Sequence, residues 1–327
     1  MKLIIGREET PNRGTSTYDG AAVMQAIRAA QARGLPVLYL HHDGDTNDLA
    51  GRMLYHLGLS GEDNYWAQEG LRAFDPATLR PSSYVADALA LLNRLEAGNF
   101  TTTFSGCVNN FGRVDCSADT LLQSEFLRTA QAIRSTLRSL DAQGRALFHE
   151  PGYVLEKHLV LVGDTYRRSV SYPMDKMADK AVFFRALFSD MTAYYNRRHS
   201  GTAPHQGSFA SAIPPDTPAL SRTVTTTAPA TGTRELMTGL YVMPGRTVTL
   251  TRSDTSGATV TMGINMLRDT TRAFNDNGYD RPTMLSSPRV PLASGRTVTI
   301  TSPFGGPLFL FVGATSGATD ITVAGQR

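Results

Sequence analysis

The chain has 327 residues, which is long for a single hydrophobic core, so we expect two or three domains. Apolar residues make up 41% and charged residues 19%, a composition typical of a folded protein and not of a disordered one. The net charge of +3 comes from interspersed acidic and basic residues, so no basic run indicates nucleic-acid binding, and the short apolar runs exclude a membrane-spanning helix.

Residues 1–75 are predicted to form an α/β domain with a parallel sheet. Two apolar runs, Leu3–Ile5 and Pro36–Leu40, have the character of buried strands, and an amphipathic helix is expected between them over 19–34. A strand–helix–strand unit of this kind pairs its strands in parallel. The first residues read as a strand and not as a signal peptide. No glycine-rich phosphate loop accompanies the unit, so no nucleotide site is inferred.

The loop after the second strand is chemically suggestive, because ligands usually bind at strand carboxyl ends in such sheets. Asp43, Asp45 and Asn47 match the first ligands of a calcium loop. The match then fails, since Asp48 stands where glycine belongs and Leu54 where the closing glutamate belongs. The favoured interpretation is a solvated turn that caps the next helix. The alternative is a weak divalent-cation or ligand site.

Residues 76–200 are predicted to be mainly helical. Three stretches carry apolar side chains at helical spacing and are bounded by capping residues: 82–98, 119–144 and Lys180–Arg198. The aromatic side chains of the last stretch are interpreted as core residues and not as a cofactor box.

Two cysteines, Cys107 and Cys116, flank a short loop that contains asparagine and glycine. Their spacing allows a disulfide, which would imply an oxidising compartment. The alternative is a pair of free thiols in a cytosolic loop. The disulfide is favoured because the chain has no other cysteine. Two thiols without a histidine in the loop do not make a zinc site.

His149 and Glu150 begin like the zinc-peptidase motif H-E-x-x-H. Pro151 and Gly152 follow, however, and the fifth position is Tyr153 and not histidine. Proline and glycine in the centre forbid the helix that would bring two histidines to one face. No other His-Glu pair occurs in the chain, so no catalytic residue is assigned.

Residues 201–233 are rich in proline, serine and threonine and are predicted to be a linker. Residues 234–327 are predicted to be an antiparallel β-sandwich, because short strands alternate with Gly-containing turns. The expected architecture is therefore a multidomain α/β + α + β chain.

Two near-copies of one strand pattern lie in this β region, at Arg246–Thr251 and Arg296–Thr301. Polar and aliphatic residues alternate strictly, so Val248 and Leu250 are expected to point to the core and the threonines to the other face. Tyr241 and Phe304 also alternate in the manner of core residues.

Several phrases of the chain resemble the enhancin-like zinc metallopeptidases. Thr238–Gly245 reads TGLYVMPG, like the family's T-G-L-Y-A-P-G, and Ser302–Phe309 reads SPFGGPLF, like its S-P-Y-G-G-x-I-Y. The intervening Arg281-Pro282 also fits the family pattern. Upstream, Val162–Asp175 resembles the helical region that precedes the sandwich in bacterial members, and the cysteine pair is similar too.

This resemblance implies a secreted or cell-surface protein directed at O-glycosylated, mucin-like glycoproteins. Family members hold zinc on an H-E-x-x-H helix in a domain that follows the sandwich, and no position here matches that motif. The chain is thus expected to be the non-catalytic N-terminal part of such an enzyme. Its partners would be the glycoprotein substrate and a catalytic domain of the same chain beyond Arg327. Zinc would belong to that domain, with no cofactor here.

A stand-alone carbohydrate-binding or adhesion module is the alternative function. Such a module needs exposed aromatic side chains with polar partners, for which Tyr65, Trp66 and Tyr279 are the candidate glycan contacts. A hydrolase acting through the α/β domain is disfavoured, because the chain lacks Gly-x-Ser-x-Gly and a recognisable Ser-His-Asp or Cys-His arrangement.

Overall fold

The computed structural model describes residues 5–8, 39–42, 80–110, 113–150, 153–207, 218–266, 272–274, 278–315 and 320–326. These residues form helices in the first half of the chain and mainly antiparallel sheets in the second half.

At the N-terminal end, strands β1 (Ile5–Glu8) and β2 (Tyr39–His42) pair in parallel, with Ile5 opposite Tyr39. The expected parallel pair is therefore present. The expected connecting helix, the Asp43 loop, Tyr65 and Trp66 lie outside the described residues.

Four main helices lie among the described residues of the helical region. They are α1 (Ser82–Ala97), α2 (Thr120–Leu122, continued by a π-helical segment Gln123–Leu127 and by Arg128–Ala142), α3 (Val154–Ser169) and α4 (Lys180–Met191). Capping explains their ends. Gly98, with a φ of 68°, ends α1 in the left-handed conformation that glycine adopts without strain. Asp119 begins α2 by accepting the backbone N–H of Leu122 at 2.8 Å.

Aromatic packing holds these helices together. Phe100 stacks on Phe184 with ring centroids 3.9 Å apart, and Phe126 lies 4.8 Å from the same ring. All three side chains are buried, as the helical spacing predicted for α4 and α2. Beside them, Cys107 and Cys116 are joined by a disulfide. It closes the hairpin of β3 (Val108–Asn110) and β4 (Arg113–Asp115).

Helix α4 is shorter than predicted, because it ends at Met191 and not at Arg198. Residues 193–197 are irregular, although they are buried. The backbone N–H groups of Tyr195 and Asn196 donate to the carboxylate of Asp141 instead of to a preceding turn of helix. A side chain from a distant helix thus ends α4 where the local apolar spacing would have continued it.

Short strands connect the helices to the second half of the chain. They are β5 (Ser171–Tyr172), β6 (Met174–Asp175) and β7 (His205–Gln206). Strand β5 pairs with β7 in parallel, and β6 pairs antiparallel with the later strand β12 (Gly278–Tyr279).

The described residues of the β region form two four-stranded sheets. Sheet I has the order β14-β10-β16-β8 and sheet II the order β13-β11-β15-β9. Their strands are β8 (Ser221–Thr227), β9 (Thr233–Val242), β10 (Thr247–Arg252), β11 (Val260–Ile264), β13 (Val290–Pro291), β14 (Thr297–Thr301), β15 (Gly306–Gly313) and β16 (Asp320–Gln326).

The two near-copies seen in the sequence become neighbours in sheet I. Val248 of β10 lies opposite Ile300 of β14, and Leu250 lies opposite Val298. Val248, Leu250 and Ile300 are buried in one apolar cluster that also contains side chains of sheet II. The alternation in each copy therefore places its aliphatic residues in a core shared by both sheets, as predicted.

Strand β8 lies inside the range that was expected to be a linker. It pairs with β16 along its whole length, from Ser221 opposite Gln326 to Thr227 opposite Asp320. The β region thus begins at Ser221 and not at 234. The Thr-Val-Thr alternation of this segment is a strand pattern that its proline-rich surroundings obscured.

Candidate functional site

A buried polar junction joins the helical region to the β region. At its centre Asp190 of α4, 2% exposed, accepts hydrogen bonds from the hydroxyls of Tyr172 and Tyr279. Burial raises the pKa of Asp190 to about 6, although these hydrogen bonds and the nearby Arg167 act in the opposite direction. Burial also raises the pKa of both tyrosines well above the usual value. Three separate segments of the chain therefore meet at one carboxylate.

Tyr279 was a candidate glycan contact, and the structure places it differently. Its side chain is 1% exposed, and its ring packs edge-on against Tyr172 at 5.1 Å. With its hydroxyl bound to Asp190, the ring is part of the core and faces no open surface.

The second part of the junction is the connecting segment, residues 192–200, which follows α4. Its Tyr195 and Asn196 N–H groups bind Asp141 at 2.8 and 2.9 Å. On its other side the Tyr195 carbonyl accepts the N–H of Thr301, and the Thr301 hydroxyl donates to the Arg197 carbonyl, each at 2.8 Å. The segment therefore binds helix α2 on one side and strand β14 on the other.

The carboxylate of Asp141 is also strongly perturbed by its surroundings. Burial raises its pKa to about 7, which the hydrogen bonds from Tyr195 and Asn196 and the charges of Arg138 and Arg197 partly offset. The carboxylate is 1% exposed.

A buried ion network completes the junction. Asp164 of α3 binds Arg167 on one oxygen and Arg197 of the connecting segment on the other. Arg167 also donates to the Ser189 carbonyl, and its guanidinium lies 5.6 Å from the ring of Phe304 in the β region. Removing one partner of such a network would leave an uncompensated buried charge and strongly destabilise the fold.

A cleft of about 240 Å³ opens next to this junction, between helix α2 and sheet II. We call it the α2–sheet cleft. Its lining includes Arg138, Gly263, Asn265, Ser287, Arg289 and Phe311. Arg138 projects from α2 and donates to the Ser286 carbonyl at 2.8 Å, which ties the helix to the loop that forms one wall.

The opposite wall of the cleft is the ring of Phe311, which is covered by the guanidinium of Arg289. The guanidinium of Arg289 lies 3.8 Å from the ring centroid of Phe311. Arg289 also approaches Glu235 at 3.5 Å, and both of these charged side chains are more than half exposed. Such an exposed pair contributes little to stability, so the Arg289 guanidinium is held mainly by the ring.

The outward face of sheet II extends beyond the cleft and carries further apolar side chains. Met237 is 62% and Tyr241 42% exposed, on the face opposite to the buried Leu240 and Val242. The expectation that Tyr241 belongs to the core is therefore wrong, whereas Phe304 is buried as expected. Tyr241 lies between Leu240 and Val242, whose side chains point into the core. Because side chains alternate along β9, the Tyr241 side chain points to solvent.

The candidate cation ligands predicted from the sequence are Asp43, Asp45 and Asn47, and all three lie outside the described residues. In the described part, no group of three or more His, Cys, Asp or Glu side chains is placed to hold a metal ion. His149 ends a short 3₁₀ helix and Glu150 is already extended, so this pair does not lie on the helix that H-E-x-x-H requires. No helix among the described residues has the length and apolarity to cross a membrane.

Sequence reasoning missed the residues of the α2–sheet cleft. Arg138 and Arg289 are far apart in the sequence, and neither lies in a motif. Asn265 is the lining residue that the sequence came nearest to indicating, because asparagine directly after a strand often adopts a positive φ. In the structure its φ is 54°.

Comparison with known proteins supports the resemblance seen in the sequence. Residues 89–198 match the family model described as the immunomodulating metalloprotease helical domain. The chain is 30% identical over 313 residues to the immunomodulating metalloprotease of Pseudomonas aeruginosa, an alignment that covers 91% of this chain and 34% of that protein. The resemblance to this metalloprotease is confirmed. The chain spans about a third of the relative's length.

Solved structures agree with this result. The IMPa metallopeptidase from Pseudomonas aeruginosa superposes with a TM-score of 0.66 and 26% identity, over 98% of this chain and 36% of that one. Two further IMPa structures, one in complex with T-antigen and one from Pseudomonas aeruginosa in complex with an O-glycopeptide, each give a TM-score of 0.65 at the same identity and coverage. The similarity therefore includes the helices and the sheets together.

Proposed function

We propose that this chain is the N-terminal accessory part of a secreted zinc metallopeptidase that acts on O-glycosylated, mucin-like proteins. In this role it scaffolds a catalytic domain that lies beyond Arg327 in the same chain. The proposal is supported by the relatives, of which this chain matches about a third, and by the O-glycopeptide and T-antigen bound in their structures. The disulfide is consistent with an extracellular location, because such bonds persist in oxidising compartments.

The observation that carries the proposal is the buried junction. Asp141, Asp164 and Asp190 each bind segments that are distant in the sequence, and all three are almost fully buried. A scaffold must hold its parts in one arrangement, and buried polar contacts of this kind have strict geometric requirements. In the proposal, sheets I and II pack as a sandwich on which the helical region is fixed.

Zinc belongs to the catalytic domain in this proposal and not to the present residues. The described residues fit no zinc site, so we assign no step of peptide hydrolysis to them. Their contribution is to position the domain that performs the chemistry and the substrate that it cuts.

The test compares the full-length protein with a form that lacks residues 1–327. We expect deletion to lower both the melting temperature of the catalytic domain and its kcat/KM for an O-glycosylated peptide. A coding region that stops after Arg327 would contradict the proposal, and so would a deletion that leaves both quantities unchanged.

A stand-alone carbohydrate-binding or adhesion module is the second candidate function. The exposed Tyr241 and Met237 on sheet II favour it, because sugar-binding surfaces combine apolar faces with polar groups. Of the original glycan candidates, Tyr65 and Trp66 remain proposals and Tyr279 is buried. A shift in the melting temperature of this chain with O-glycan cores would support the module, and no shift would contradict it.

A further inference from the structure

We propose that the α2–sheet cleft binds a single carboxylated sugar residue at the end of a glycan. This goes beyond the accessory role, because it gives the present chain a ligand of its own. It does not depend on the presence of a catalytic domain.

The size of the cleft limits the ligand. Its volume of about 240 Å³ lies below the roughly 300–1,000 Å³ that is usual for pockets of drug-sized ligands. The cleft therefore suits one monosaccharide unit and is too small to enclose several. An open side would let the rest of a glycan extend along the outward face of sheet II, where Met237 is exposed.

The charge of the cleft favours an anion. Among the described residues, its lining contains Arg138 and Arg289 and neither aspartate nor glutamate. In the same part of the chain, carboxylates near these arginines are Asp141, whose charge acts on Arg138 from within the junction, and Glu235, 3.5 Å from Arg289 on the surface. Guanidinium groups match the two oxygens of a carboxylate, and the exposed pair with Glu235 is weak enough to be exchanged for a ligand.

The remaining lining favours a sugar over a simple anion. Ser286 supplies a hydroxyl group, which suits the hydroxyls of a pyranose, and the Ser287 oxygen, which accepts the Ile264 N–H and donates to the Pro288 carbonyl, keeps a second lone pair as an acceptor. The 40% exposed Met266 supplies an apolar surface for the C–H face of its ring, while Phe311 holds the Arg289 guanidinium in place. A ligand with a carboxylate, several hydroxyls and an apolar ring face is an acidic monosaccharide.

Gly263 keeps the floor of the cleft open. A Cβ atom at this position would lie 3.3 Å from the Phe311 ring and 3.7 Å from the Ser287 hydroxyl. Any side chain longer than a methyl group would therefore enter the cleft. This makes Gly263 a second and independent position at which binding can be tested.

The experiment titrates the 327-residue chain with four sugars and follows binding by NMR or calorimetry. The methyl glycosides of N-acetylneuraminic acid and glucuronic acid represent carboxylated sugars. Galactose 3-sulfate represents a sulfated one, and methyl galactoside is the neutral control. We expect at least one carboxylated sugar to bind and the neutral sugar to bind at least tenfold more weakly, with affinity that falls as salt is added.

Variants locate the site. Arg289→Met removes the charge but keeps the side-chain stem, and we expect it to weaken binding about tenfold or more. Arg296→Met is the matched control, because Arg296 is an exposed arginine in the turn before strand β14 of the other sheet, does not line the cleft and should leave binding unchanged. Gly263→Val should also abolish binding, with the melting temperature of each variant showing that it is folded.

Three results would overturn the proposal. They are equal affinity for the neutral and carboxylated sugars, binding of the sulfated sugar alone, and an Arg289→Met variant that binds as well as the original chain. A lack of binding by all four sugars would do the same. None of these results bears on cleavage activity, so the accessory role stands or falls separately.

Discussion

The carboxylate of Asp141 in helix α2 accepts a hydrogen bond of 2.8 Å from the backbone N–H of Tyr195, 54 residues later in the sequence. Its other oxygen holds the N–H of Asn196 at 2.9 Å. Through these bonds α2 fixes the connecting segment, which in turn receives the N–H of Thr301 from strand β14. Asp141 thereby couples the helical region to sheet I, and it stands one helical turn after Arg138 of the cleft.

Replacing Asp141 with alanine should destabilise the chain by about 2–4 kcal/mol. The change leaves two buried backbone N–H groups without their acceptor, and each unsatisfied group costs about 1–3 kcal/mol. Urea unfolding measures the difference. Asp87→Ala is the control, because Asp87 is exposed on α1 and its loss should cost no more than about 0.5 kcal/mol. Equal costs for the two variants would show that the Asp141 contacts contribute little.

The buried carboxylates should make stability fall as the pH rises from about 4 to about 7. Burial raises the pKa of Asp190 to about 6 and of Asp141 to about 7, above the value of about 3.9 for an unfolded aspartate. Between these values the folded chain binds more protons than the unfolded chain, so each unit of pH lowers the free energy of unfolding. Their contribution is complete below pH 4 and lost above pH 7.

Asp190→Asn tests this pH dependence. The neutral amide does not titrate, so the variant should gain stability relative to the original chain by about 2 kcal/mol between pH 4.5 and pH 7.5. Urea unfolding at the two pH values provides the measurement, and Asp87→Asn supplies the reference for an exposed carboxylate. A difference between variant and original chain that is the same at both pH values would refute the role of Asp190.

Gly306→Ala should be much more costly than Gly295→Ala. Gly306 has a φ of 133°, and a Cβ atom there would lie 2.0 Å from the buried Asn265 side chain. Asn265 has little room to move, because its amide donates to the Gly305 carbonyl. Gly295 has a φ of 66° with nothing within 4 Å, so alanine there adds only backbone strain of about 1–2 kcal/mol.

The two glycine variants are compared by their free energies of unfolding. We expect Gly306→Ala to lower the free energy of unfolding by about 2 kcal/mol more than Gly295→Ala, as measured by urea unfolding. Similar values for both variants would mean that Asn265 adapts freely. This close approach also gives a physical reason for the Gly305-Gly306 pair in the phrase that the sequence shares with the enhancin-like peptidases.

Removal of the Cys107–Cys116 disulfide should destabilise the chain by about 2–3 kcal/mol. The bond closes a loop between cysteines nine positions apart, and the entropy of the unfolded chain rises when it is cut. The double variant Cys107→Ser/Cys116→Ser is compared with the original chain by urea unfolding, with and without a reductant. Reductant should destabilise only the original chain. Alkylation of both cysteines without reductant, seen in the intact mass, would contradict the bond.

Much of the cleft and junction could not have been found from the sequence. Local spacing correctly indicated helix α1 and the inward side chains of β10 and β14, because those features depend on neighbours within one or two turns or along one strand. The same spacing extended α4 to Arg198, since it holds no information about Asp141. Prolines around β8 masked a strand whose partner, β16, lies near the other end of the chain.

The sequence by itself determined the order of helical and β regions and the resemblance to one metallopeptidase family, and it favoured the cysteine pair that the structure shows, because each depends on local pattern or composition. Tertiary structure decided that Tyr279 is buried against Asp190 and that Tyr241 is exposed. It also brought Arg138 and Arg289 to one cleft. These outcomes depend on contacts between segments that are distant along the chain, and such contacts form only when helix α2, the connecting segment and the two sheets pack together.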